Sequence, residues 1–292
     1  MTSVEFSNNV NCVNEQTNKR NIKGSIAAAA GGAGVTLVSG MAGKPFLDRM
    51  IRQSNSLTQD EINLVNEVAD NVCKNISKLS DKGVKINNIT PETFEVKHLK
   101  QALGKWAKPL TNMIPILAIA EGKNACFSPV NNSVIINRNK LPLGVFHEMG
   151  HAHNFNNTKL WKAIQMSRNP LICIGTALAF LPAFTKKQTA AEGEELTKEQ
   201  KNKNAIRNSA PIVAAAAFLP IIMEEGMATV KGNKWAKQVL SPELFKKVVK
   251  LNKFGFAGYV ITAVGYGLAS LTAKVIKDHS DSKKAAQNIM QK

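Results

Sequence analysis

The stretch that decides the fold is Leu141–Asn154, which reads LPLGVFHEMGHAHN. Pro142 suits the first turn of a helix, where its missing N–H costs nothing, so a helix is expected to begin just after it. On that helix His147 and His151 lie four residues apart and share one face. Two imidazoles in this arrangement can bind one zinc ion. Glu148 would lie beside the metal, where its carboxylate can take a proton from a zinc-bound water.

A glycine inside this helix indicates a close neighbour. Glycine in a helix interior destabilises the helix relative to alanine. Its presence at position 150 therefore indicates that another backbone approaches closely there. Accidental HExxH sequences also exist in large numbers, so the motif needs a third ligand before it indicates a catalytic zinc site.

Two adjacent carboxylates offer that ligand. Glu224 and Glu225 follow directly after an uncharged apolar segment. Either one could complete a His₂Glu zinc site that leaves the fourth position for water. The alternative is that the two residues only mark the polar end of an apolar helix.

Charge and hydropathy indicate the surroundings of this site. The 292-residue chain has a net charge of +17 and a pI near 9.8, which favours a polyanionic neighbour, either nucleic acid or an anionic membrane. Its Lys residues are scattered, aromatic residues make up only 6%, and no nucleic-acid-binding motif is present. We therefore expect a membrane partner with an anionic lipid surface and no nucleic acid.

Four uncharged windows carry the membrane prediction. A bilayer core takes about 17–25 apolar helical residues, and each window is at or just below that length. The windows are 24–43, 169–185, 208–223 and 254–273. The mean hydropathy of −0.14 leaves open the alternative that they are buried helices of a large soluble domain.

The polar segments between the windows have simpler patterns. Thr58 and Glu61 form a predicted capping box at the start of an amphipathic helix. A short basic helix is expected over 97–108. Apolar runs at 114–120 and 133–137, separated by turn residues, predict two short strands. The expected fold class is mainly α with a small β element and about four apolar, transmembrane helices.

The order of motifs along the chain resembles the order found in a known family. HEMGH, then two apolar segments, then Glu-Gly-Met-Ala-Thr, is similar to the gluzincin membrane peptidases of the HtpX and CAAX-prenyl-endopeptidase type. In that family an E-x-x-A-D pattern supplies the third ligand. Matching Ala228 to the family's Ala implies that Glu225 is the ligand, and it places Thr229 where the family has Asp. The resemblance covers roughly 114–230 and also includes the segment Lys123–Phe127 before the zinc helix.

The resemblance implies a function for these residues. His147, His151 and Glu225 would hold one Zn²⁺, Glu148 would be the catalytic base, and the chain would be a membrane-associated zinc endopeptidase with a zincin-like domain. A peptide or protein substrate would add as a strand at the sheet edge near 125–127. The alternative is a non-enzymatic membrane or scaffold protein with a vestigial or accidental HExxH.

On this interpretation the chain consists of seven segments. They are a polar arm (1–23), a membrane helix (24–43), the zincin-like domain (44–168), an apolar helical hairpin with its loop at 186–207 (169–223), the third-ligand helix and basic segment (224–253), a membrane helix (254–273) and a basic tail (274–292). The hairpin crosses twice, which returns the third ligand to the side of HExxH. That side carries 24 of the 38 Lys and Arg residues, which predicts a multi-pass membrane protein with a cytoplasmic active site.

Overall fold

The helices dominate the computed structural model, which describes residues 21–111, 114–190 and 193–290. Most of the expected polar arm lies outside these ranges, as do the last two residues of the basic tail. The described helices are α1 (Ile22–Asn55), α2 (Gln59–Asn75), α3 (Ser77–Ser80), α4 (Phe94–Leu103), α5 (Ala107–Leu110), α6 (Pro115–Ala120), α7 (Val145–Asn157), α8 (Lys159–Met166), α9 (Arg168–Phe184), α10 (Lys198–Ala216), α11 (Leu219–Val239) and α12 (Pro242–Met290). Single 3-10 turns lie at Gly104–Trp106 and Pro142–Gly144.

A small sheet confirms the expected β element. Its strands are β1 (Lys85–Asn88), β2 (Ala125–Ser128) and β3 (Ser133–Ile136), in the order β1-β3-β2. β1 is parallel to the central β3 and β2 is antiparallel to it, with Phe127 opposite Val134. β2 therefore lies at a sheet edge, as expected for the segment near 125–127.

The main hydrophobic core joins the polar segment to two of the long helices. Buried side chains from α2, β3 and α7 pack there against the ends of α11 and α12, for example Val65, Ile136, Met149, Ala236 and Val248. At the start of α2, Thr58 and Glu61 form the capping box that the sequence predicts. This packing fixes α7, the helix with the HExxH motif, against α11, the helix with the third candidate ligand.

Three helical runs among the described residues are long and apolar enough to cross a membrane. They are Ile22–Asn55, the run Lys198–Val239 formed by α10 and α11, and Pro242–Asn288. The remaining window, 169–185, largely coincides with the shorter apolar helix Arg168–Phe184. Less than a third of the apolar window of each long run is buried within the protein. Large apolar side chains such as Leu37 and Ile212 are exposed on these helices, which does not fit the alternative of buried helices in a soluble domain.

Two predictions of local structure were wrong. Residues 115–120 form helix α6 and not a strand, because Pro115 occupies the first turn and a short apolar run does not distinguish the two structures. The predicted loop 186–207 is shorter, since α10 already begins at Lys198. Its start is fixed by a capping box between Thr197 and Gln200.

Other segments differ from the sequence prediction in extent. Gly31 and Gly32 do not interrupt α1, which runs unbroken through the first window. The basic segment, the last window and most of the tail form one continuous helix, α12. The basic helix expected over 97–108 is α4, and it begins earlier and ends at Leu103.

The crossing of α7 and α11 is a backbone-to-backbone contact. A Cβ added to Gly150 would overlap the backbone carbonyl of Ala228, and one added to Gly232 would overlap that of Phe146. The two glycines therefore allow the helices to approach more closely than side chains would permit. This is the close neighbour that the glycine in HEMGH predicts.

We expect Gly150→Ala to destabilise the protein by about 1–3 kcal/mol, because forced overpacking outweighs the gain in helix propensity. Thermal unfolding followed by circular dichroism measures the effect. Gly34→Ala in α1 is the matched control, since nothing lies within 4 Å of its added Cβ. Equal melting temperatures for the two variants would contradict the close crossing.

Candidate metal centre

Two helices bring the candidate ligands together. α7 presents His147 and His151 one turn apart, and α11 crosses it and presents Glu225 from the opposite side. The side chain of Glu225 is fully buried, and those of His147 and His151 are 15% and 7% exposed. The three predicted ligands therefore form one enclosed group, although 74 residues separate His151 from Glu225 in the sequence.

The three ligand atoms form a nearly regular triangle. His147 Nε2 lies 3.0 Å from His151 Nε2 and 3.1 Å from Glu225 Oε2. His151 Nε2 lies 3.4 Å from Glu225 Oε2. Atoms bound at about 2.0–2.1 Å to a tetrahedral zinc ion lie roughly 3.3 Å apart, so the triangle has the size of one face of such a site. The group could hold a metal ion.

The ring nitrogen of His151 that points away from the triangle, Nδ1, contacts the carboxylate of Glu224. Its Nδ1 lies 2.8 Å from Glu224, which places the ring proton on Nδ1 and leaves Nε2 free to face the triangle. Gln165 and Asn154 donate hydrogen bonds to the same carboxylate, at 2.7 and 3.1 Å. Glu224 therefore fixes the orientation of a candidate ligand, while Glu225 faces the other two members of the triangle.

Charge in this group favours a cation. Burial lowers the pKa of His151, but the charges of Glu225 and Glu224 outweigh burial and hold this pKa well above its ordinary value. Without a metal ion, a proton would satisfy the two carboxylates. A divalent cation in the triangle would satisfy the same charges and would use both Nε2 lone pairs.

Thr229 contacts one of the two candidate histidine ligands. Its hydroxyl lies 3.3 Å from Nδ1 of His147. A hydroxyl at this position can fix the orientation of the imidazole, as a carboxylate would, but it adds no charge.

Sequence reasoning missed Arg168, which lies at the start of α9. Its guanidinium donates to Glu224 Oε2 at 3.3 Å and to Glu225 Oε1, and it is also 3.2 Å from the hydroxyl of Tyr259. This contact leaves Oε2 of Glu225 directed at the triangle. Arg168 precedes the second uncharged window, which suggests only a helix boundary, so no signal in the sequence marked its role.

Glu148 lies at the wall of an adjoining cleft of about 340 Å³. The cleft is also lined by His147, by Ala125 at the edge strand β2, and by Tyr259 of α12. The Glu148 carboxylate forms no hydrogen bond or ion pair to another side chain within the described ranges, so it is free to accept a proton from a molecule in the cleft. The structure thus brings all four predicted site residues to one place.

His153 is not part of this group. Lys231 lies 2.8 Å from its Nδ1, on a different face of α7 from the two candidate ligands. Burial, followed by the charge of Lys231, lowers the pKa of His153 to about 4. It is a half-buried polar neighbour, which agrees with its position in the sequence.

The chain matches no protein-family model, no curated protein and no solved structure. The likeness to the membrane gluzincins therefore rests on the motif residues alone.

Proposed function

We propose that the protein is a membrane-associated zinc-dependent endopeptidase. The observation that supports this most strongly is the triangle of His147, His151 and Glu225, whose edges of 3.0–3.4 Å fit tetrahedral zinc. Three protein ligands with an open fourth position are typical of catalytic zinc, whereas structural zinc has four. His147 and Glu148 both line the adjoining cleft, so a substrate in the cleft would lie beside the ligand triangle.

The residues of the chain divide the chemistry between them. His147, His151 and Glu225 would hold a zinc ion, which when bound would supply Lewis-acid chemistry for hydrolysis. Glu148 would accept a proton from water in the cleft and return it to the leaving amine. Arg168 and Glu224 keep Glu225 and His151 in position. Tyr259 lines the cleft from α12 with its hydroxyl beside Arg168, from where it could donate to the carbonyl oxygen of a bound peptide.

The cleft fits an extended peptide. Edge strand β2 offers unpaired backbone groups to which a substrate can add as a further strand. Beyond it, the cleft is lined by apolar side chains of α1 and α12, including Phe46, Met50 and Leu251. A substrate with apolar side chains next to the cleaved bond is therefore favoured.

We place the metal centre near one membrane surface, on the cytoplasmic side. Glu225 follows directly after the window 208–223, and Arg168 directly precedes the window 169–185. The site thus lies at the end of the apolar bundle where 24 of the 38 Lys and Arg residues are expected, and such residues are enriched in cytoplasmic segments.

The test combines metal analysis with proteolysis. The full-length chain, purified in detergent and loaded with zinc, is expected to bind one zinc ion and to cleave an unfolded protein such as casein. 1,10-Phenanthroline should stop cleavage, and its non-chelating 1,7 isomer should not. His147→Ala should lose both zinc and cleavage. Stoichiometric zinc without cleavage of any unfolded substrate would favour a scaffold protein, and absence of zinc would refute the proposal.

A further inference from the structure

A second concave surface lies where α1 leaves the apolar bundle and α12 enters it. This basic groove has a volume of about 570 Å³ and is lined by Arg49, Arg52, Gln53, Ser56, Lys250 and Phe254. Three of its six residues are cationic, two are neutral hydrogen-bonding residues and one is aromatic. No described residue that lines it is acidic.

The cations of the groove differ from nearby basic residues in their partners. Lys44 pairs with Asp48, and Lys247 pairs with Glu61. Arg49, by contrast, has no carboxylate partner among the described residues, and its guanidinium carbon lies 6.0 Å from the centroid of the Phe254 ring. Within the described ranges, Arg52 and Lys250 have no carboxylate partner. The groove therefore concentrates positive charge that the chain itself does not neutralise.

Contacts between α1 and α12 define where the groove lies relative to the ends of the two apolar windows. The helices run antiparallel, with Asn21 beside Ser280 at one end and Phe46 beside Phe254 at the other. Arg49 lies six residues beyond the window 24–43, and Lys250 lies four residues before the window 254–273. At 1.5 Å per residue these distances are about 9 and 6 Å. The headgroup layer on each side of a bilayer core is about 5–8 Å thick, so Lys250 lies within this layer and Arg49 lies at its outer boundary.

We propose that the basic groove binds the phosphate of one anionic phospholipid. Arg49, Arg52 and Lys250 would neutralise the headgroup, Gln53 and Ser56 would donate to its oxygens, and the aromatic face of Phe254 would contact the glycerol and the first acyl carbons. A soluble inorganic anion has no apolar part that could contact the ring of Phe254. This site differs from a general attraction to anionic membranes because it holds one lipid in one place.

The bound lipid would lie beside the metal centre. Phe254 lines both the basic groove and the cleft with Glu148, so one side chain separates the two spaces. The proposal depends on the membrane location of α1 and α12 and not on peptidase activity.

The test is native mass spectrometry of the full-length chain in detergent, titrated with dioleoylphosphatidylglycerol or dioleoylphosphatidylcholine. We expect one phosphatidylglycerol to bind with at least about tenfold preference over phosphatidylcholine. The triple variant Arg49→Gln/Arg52→Gln/Lys250→Gln should lose this preference. All three side chains are exposed, so the variant should fold, and thermal unfolding verifies this. The three single variants, each expected to lose part of the preference, serve if the triple variant is unstable.

The matched control removes the same charge elsewhere. Lys82→Gln/Lys97→Gln/Lys108→Gln changes three exposed lysines outside the groove and should keep the full preference. An equal loss in both triple variants would mean that only net charge matters, and an unchanged preference in the groove variant would mean that the lipid binds elsewhere. Displacement of the lipid by excess inorganic phosphate would assign the groove to a soluble anion. Each of these results would overturn the proposal.

Discussion

Glu148→Gln is expected to reduce peptide hydrolysis by a factor of about 10²–10⁴, the usual contribution of a general base, while zinc binding persists. The amide has nearly the shape of the carboxylate but cannot take a proton from the zinc-bound water. Glu148 is not one of the three residues that form the ligand triangle, so the metal should stay in place. Zinc content by inductively coupled plasma mass spectrometry and cleavage of a quenched fluorescent peptide measure the two effects separately.

Glu67→Gln is the matched control for this variant. Glu67 lies exposed on α2, outside the cleft, and its loss should leave cleavage unchanged. Full activity in Glu148→Gln would remove Glu148 from the mechanism. Loss of zinc together with activity would mean that Glu148 acts as a ligand.

Substitution of Glu224 and substitution of Glu225 should lower the zinc affinity by different amounts. A zinc site is worth about 10–16 kcal/mol, so one ligand in four contributes roughly 3 kcal/mol, and Glu225→Gln should weaken zinc binding by about 10²–10³-fold. Glu224→Gln removes a charge behind His151 but leaves a hydrogen-bond acceptor, so we expect a loss of only about tenfold. Competition with a chromophoric chelator measures both affinities.

X-ray absorption at the zinc edge adds a second measurement for the pair. Glu224→Gln should keep the coordination of the original chain, whereas Glu225→Gln should exchange one protein oxygen for water. A larger loss of zinc affinity in Glu224→Gln would reverse the assigned roles of the two residues. Thermal unfolding of both variants shows whether either change disturbs the helix crossing itself.

The sequence predicted those parts of the site that depend on local helical geometry. His147 and His151 lie on one face because residues four apart in a helix always do. Gly150 indicated a close backbone contact, and the contact is the carbonyl of Ala228. The choice of Glu225 over Glu224 required the family resemblance, since both carboxylates follow the same apolar window.

Other parts depended on contacts between distant segments. Arg168 reaches Glu224 and Glu225 from a helix 56 residues earlier, and no periodic pattern encodes such a contact. Tyr259 likewise lines the cleft and contacts Arg168 through its hydroxyl, because α12 passes over the site. Strand β1 was missed because three of its four residues, Lys85–Asn88, are polar and because it pairs on one side only, with β3. The zincin-like character of the domain stays a prediction.

The candidate metal centre draws its ligands from two parts of the molecule. His147 and His151 belong to the polar segment, while Glu225 belongs to α11, which continues from the apolar helix α10. Under the proposed function, a segment such as 44–168 produced alone would hold only two of three ligands and would have no hydrolytic activity. Hydrolysis would begin only after the bundle has assembled around α7, so a newly made chain could not degrade its surroundings on the way to its membrane.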